Sequence, residues 1–155
     1  LNTSPRRENN GEATMCLDML YELPPPRWGV GYKVVQKTRQ AGKYLCLYFP
    51  VAIYKNRWVT DPAPPDILQT PCPADVPQYY PKGFHVLRGK QAFLKIFNML
   101  KVDRRLACVM VKFREPVAFG VEDFCGKNEV VVAREIMVLK EIKPKELREV
   151  KHDLA

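Results

Sequence analysis

The sequence is poor in the residues that build common metal and thiol sites. Only two histidines, His85 and His152, occur in 155 residues, and the five cysteines, Cys16, Cys46, Cys72, Cys108 and Cys125, contain no Cys-x-x-Cys pair. Such spacing argues against a zinc site, and an odd, scattered set argues against the disulfide framework of a small secreted domain. The expectation is therefore no metal, buried reduced thiols and a cytoplasmic setting. No apolar run approaches the roughly 18 residues of a membrane span, and no basic start followed by an apolar stretch marks an export signal. Gly-x-Gly-x-x-Gly, P-loop and Gly-x-Ser-x-Gly patterns are also missing, which argues against the standard nucleotide-binding and hydrolase folds and implies no cofactor.

One further absence is local. Residues 27–60 contain no acidic side chain and carry +7, and residues 82–114 carry +8, within a chain whose formal charge is +8. The segments around them are neutral or acidic: residues 1–14 sum to zero, 61–81 to −3 and 115–155 to −2. If both basic blocks fold onto one side, they form a surface for phosphates or for an acidic protein partner. A charge of this size is also ordinary solubility charge on a small domain.

The first fourteen residues are polar, without apolar periodicity, and are expected to be a flexible tail or a non-native extension, with a natural start at Met15. Cys16 would then stand next to the initiator. It reads either as an N-terminal nucleophile whose amine serves as base or as a small buried hydrophobe.

Residues 15–155 read as one α+β domain. Pro24-Pro25-Pro26 ends the first short element. Strands are expected at 30–35 and 44–49 around a turn at 40–43, then near 57–60, at 82–87, 106–113, 116–121, 129–133 and 136–142. Residues 62–81 hold Pro62, Pro64, Pro65, Pro71, Pro73, Pro77 and Pro81, and predict a long ordered surface loop anchored by Tyr79 and Tyr80. The main helix is expected over 91–102, where Phe93, Ile96, Phe97 and Leu100 form an apolar stripe and Gln91, Lys95 and Asn98 the polar side. A charged helix is expected over 143–154. The sheet is expected to be mixed or antiparallel.

Basic and aromatic residues interleave at Tyr32, Lys33, Arg39, Lys43, Tyr44, Tyr48, Tyr54, Lys55, Arg57 and Trp58, a pattern suited to stacking on bases while tracking phosphates. Cross-strand core pairs produce the same pattern, so binding requires Trp58, Tyr44 and Tyr54 to share a solvent face with Arg57 and Lys55. From the second block, Arg88, Lys90, Arg104 and Arg105 complete the candidate binding set. The carboxylates Glu122, Asp123 and Glu129 read as a solvated turn beside Lys127 and Arg134.

Two resemblances bear on function. Lys82-Gly83-Phe84-His85-Val86-Leu87 followed by a helix, with Asn128-Glu129-Val130-Val131-Val132 before Ile136-Met137-Val138-Leu139, is similar to the strands of ADP-ribosyltransferases of the poly(ADP-ribose) polymerase and diphtheria-toxin type. The resemblance implies NAD as cofactor, Glu129 as the carboxylate that positions the ribose and the acceptor, and His85 near the family's stacking tyrosine. The family's first-strand histidine has no counterpart at Tyr32-Lys33-Val34. More broadly, Met15-Cys16, Gly31-Tyr32-Lys33-Val34, Gly83-Phe84-His85-Val86 and Val131-Val132-Ala133-Arg134-Glu135-Ile136 resemble small uncharacterised bacteriophage and prophage proteins, which implies a mobile-element origin and a bacterial cytoplasm.

The leading expectation is thus a non-enzymatic phage or mobile-element accessory protein that binds nucleic acid or an acidic protein through its basic surface, without a membrane. The alternatives are an ADP-ribosyltransferase-like protein and an inhibitor or partner of a host protein that docks by the proline-rich loop.

Overall fold

The structure is a computed structural model and describes residues 17–47, 51–68, 79–89, 91–122 and 128–154. The strands are β1 (Met19–Leu20), β2 (Trp28–Lys37), β3 (Lys43–Cys46), β4 (Ala52–Tyr54), β5 (Trp58–Thr60), β6 (Phe84–Arg88), β7 (Leu106–Glu122) and β8 (Asn128–Ile142). The helices are α1 (Ala92–Val102), between β6 and β7, and α2 (Pro144–Leu154), after β8. All ladders between these strands are antiparallel and belong to one sheet.

This is a largely β fold, and it corrects the α+β expectation. The segments expected as separate strands on either side of Pro116 are one strand of 17 residues. Those on either side of Arg134 are one of 15. Pro116 interrupts hydrogen bonding without ending the strand, because the register shifts between Pro116 and Ala118 and Glu115 takes a φ of 55°. Such bulges bend and coil a strand. The bend allows β7 and β8 to serve two parts of the sheet.

The sheet closes on itself. Ladders run from β2 to β7, β7 to β8, β8 to β6 and, through Tyr32 and Leu87, from β6 back to β2. A second closure runs from β2 through β3 and β4 to a bridge between Lys55 and Val138. The closed barrel has an apolar interior that includes Val35, Ile53, Phe84, Val86, Val109, Val111, Phe113, Val131, Ile136 and Val138. Alternation along the strands places Val34, Cys108, Val130 and Val132 outside, under α1 and α2. Gly31 makes the first closure possible: a Cβ there would come within 2.5 Å of the Leu87 carbonyl oxygen and closer still to Val86 Cγ1.

Helix α1 lies close to its expected span, but its buried side is wider than the apolar stripe. Lys95, expected on the polar side, is buried with Ala92, Phe93 and Ile96 and pairs with Glu122 at the end of β7. Glu122 is therefore no solvated turn residue. Among the described residues, no helix is long and apolar enough to cross a membrane.

Both described ends of the proline-rich segment meet one guanidinium. Arg134 donates to the carbonyl oxygens of Asp61, Ala63 and Lys82, and the Lys82 N–H donates to the Ile67 carbonyl at 2.9 Å. Tyr80 is buried as an anchor, whereas Tyr79 is exposed.

Candidate nucleic-acid interface

Glu129 and His85 do not meet. In the β6–β8 ladder His85 lies opposite Val132, on the side covered by the helices, and Glu129 lies opposite Arg88, on the side of Phe84 and Val86. Their side chains thus project to opposite faces of the sheet, and the two cannot act on one ribose.

His85 is instead a buried structural group. Its Nε2 lies 3.0 Å from Tyr80 Oη, which accepts from the Leu17 N–H at 3.2 Å. Burial, then the positive charge of Lys33, pushes the imidazole down to about 3, although a hydrogen bond with the Gly83 backbone opposes the shift. The ring is neutral at physiological pH.

The candidate binding residues divide by position. Lys33 is corrected outright: it is buried, its ammonium donates to the His85 carbonyl oxygen at 3.1 Å, and burial lowers its pKa. Arg88 is half-buried, with its guanidinium 5.3 Å from the Phe113 ring centroid. Lys90 lies outside the described residues, as do Tyr48, Cys16, Cys72, Cys125, Asp123 and Lys127. The described thiols of Cys46 and Cys108 are buried, and burial raises both, Cys108 to about 12.

The remaining cations gather at one end of the barrel. Here β2 and β4 finish, β3 and β7 begin, and β8 ends. Arg39 is exposed in the β2–β3 turn and Lys43 opens β3. Arg104 and Arg105 are exposed just before β7, and the Arg105 carbonyl accepts from the Lys37 N–H at 2.8 Å. The long β2–β7 ladder therefore joins the two basic blocks here. A cleft of about 680 Å³ opens beside them, lined by Tyr44, Tyr54, Lys55, Arg57, Lys140, Glu141 and Lys143, with Ala41, Gly42 and Asn56 at its rim.

The aromatic residues meet the exposure condition only in part. Tyr44 is buried in the barrel, and only its phenol reaches the cleft, donating to Glu141 Oε1 at 3.2 Å. Tyr54 is half-buried with the Arg57 guanidinium 4.0 Å from its ring centroid. Trp58 faces the outside of the sheet beneath Arg114, 3.9 Å away, and is not among the residues that line the cleft with Arg57. That outer surface also carries Trp28, which is 67% exposed, with Lys112 over its ring.

Lys140 and Lys143 escape a sequence reading because residues 115–155 sum to a negative charge. Their common signal is position: both lie where β8 runs out toward α2. Among the described residues, no group of three or more His, Cys, Asp or Glu side chains is placed to hold a metal ion. Comparison with protein-family models, curated proteins and solved structures finds no match to the chain.

Proposed function

We propose that this protein binds nucleic acid through the basic end of its barrel, as a small accessory protein of a phage or mobile element. The supporting observation is the convergence of Arg39, Lys43, Arg104 and Arg105 from the two basic blocks beside the Lys55, Arg57, Lys140 and Lys143 cleft. The nearby carboxylates Asp103, Glu141 and Glu146 are already engaged with Arg105, Lys143 and Lys140 at exposed positions. Exposed pairs of this kind are worth about 0–1 kcal/mol, so a phosphate displaces them at little cost. Lysine and arginine contacts supply affinity by releasing counterions.

Fluorescence anisotropy with labelled single-stranded and duplex 20-mers, titrated across salt concentrations, tests this reading. Affinity should fall linearly with the logarithm of salt, and Arg39→Gln with Arg105→Gln should shallow the slope by about one for each phosphate that the variant no longer neutralises. Absence of binding at low salt, or an unchanged slope in the double variant, overturns it.

A further inference from the structure

We propose that the cleft between the β3–β4 hairpin and the end of β8 is a seat for the phosphate end of a nucleotide, a phosphomonoester joined to a ribose and a planar ring. The proposal deepens the nucleic-acid reading of this end of the barrel by naming what the cleft takes. Its volume of about 680 Å³ is that of a small-ligand site. Lys55, Arg57, Lys140 and Lys143 line it against one carboxylate, Glu141, so the cleft selects an anion.

The partners of these cations favour exchange. Lys143 Nζ lies 3.0 Å from Glu141, and Lys140 Nζ lies 3.4 Å from Glu146, both as solvent-exposed pairs. An incoming phosphate dianion takes over these ammonium groups. Glu141 stays in place when Lys143 turns away, because the Tyr44 phenol donates to its Oε1 at 3.2 Å. Burial, followed by the Glu141 charge, raises the Tyr44 pKa, which keeps that donor protonated. The freed carboxylate oxygen then accepts from a ribose hydroxyl, an interaction that inorganic phosphate lacks. Tyr54, capped on one face by Arg57, supplies an aromatic wall.

The rim is already formed. Gly42 and Asn56 hold left-handed conformations, with φ of 74° and 60°. The Lys55 N–H donates to the Gly42 carbonyl and the Asn56 N–H to the Val138 carbonyl, each at 2.8 Å, which ties both turns to the barrel. A preformed cleft spares the ordering cost of binding.

Calorimetric titration with AMP and with adenosine at low salt tests the seat. AMP should bind at least about tenfold more tightly than adenosine, and Lys55→Gln with Lys143→Gln should lower AMP affinity by about tenfold without moving the unfolding midpoint. Equal binding of AMP and adenosine, or AMP affinity unchanged in that variant, overturns the proposal. Tighter binding of a 5′-phosphorylated strand than of its 5′-hydroxyl counterpart identifies a strand end as the source of the phosphate. Equal strand affinities with AMP still bound identify a free nucleotide. AMP binding without binding of either strand preserves the seat while removing the nucleic-acid reading.

Discussion

His85 Nε2 and Tyr80 Oη lie 3.0 Å apart in a buried contact that joins β6 to the end of the proline-rich segment. The burial of this imidazole gives stability a pH dependence. The imidazole, ordinarily near 6.5, is pushed to about 3 by burial and then by Lys33. Between those values the unfolded chain binds a proton that the folded chain refuses. His85 therefore leaves stability intact above pH 6.5 and erodes it as pH falls toward 3, by on the order of 1.4 kcal/mol per pH unit. Urea unfolding between pH 7 and pH 4 should show that slope, and His85→Gln should remove it. The imidazole resonance of the native protein should remain that of a neutral ring at pH 5; a charged ring there refutes the assignment.

The Lys95–Glu122 pair joins α1 to the end of β7, with both side chains almost wholly buried. Removing one partner leaves a buried charge uncompensated, so Lys95→Met or Glu122→Gln should each destabilise by about 3–5 kcal/mol. Lys95→Met with Glu122→Leu replaces the pair by apolar groups and should recover most of the loss. Chemical denaturation of the four proteins in this cycle measures the coupling. Additive single losses would show that the charges do not depend on each other.

Arg134 is the common partner of Asp61, Ala63 and Lys82. Arg134→Met should cost about 1–3 kcal/mol for the carbonyl groups left unsatisfied. It should also speed limited proteolysis within residues 62–68, more than global destabilisation of equal size does. Cleavage at the native rate in the variant would place the restraint elsewhere.

Barrel closure at Gly31 admits no side chain, because Val86 and the Leu87 carbonyl occupy the space. Gly31→Ala should destabilise by about 1–3 kcal/mol through overpacking. The Leu87 and Tyr32 amides should exchange faster with solvent, reporting the β2–β6 junction. Native stability in Gly31→Ala would mean that the two strands can separate without cost.

Several elements are legible in the order of residues alone. The apolar stripe at Phe93 and Ile96 locates α1, and enrichment in β-branched and aromatic residues locates most of β2 and β3, because both are signals carried by neighbours along the chain. The same reasoning misses Lys95, since a helical wheel cannot show that Glu122 waits across the interface. It divides β7 at Pro116 because a proline ends a flat ladder, whereas here it sits in a bulge.

The basic blocks are visible as charge, but their use is not. The strand-forming stretches, the main helix and the uneven placement of lysine and arginine all depend on neighbours along the chain, and the sequence is enough to locate them. The burial of Lys33 beside an exposed Arg39, the opposed faces of Glu129 and His85, and the meeting of Lys140 and Lys143 with the β3–β4 hairpin emerge only on folding. Those outcomes depend on ladder register and barrel closure, which bring together residues nearly a hundred positions apart, as Tyr44 and Glu141 are.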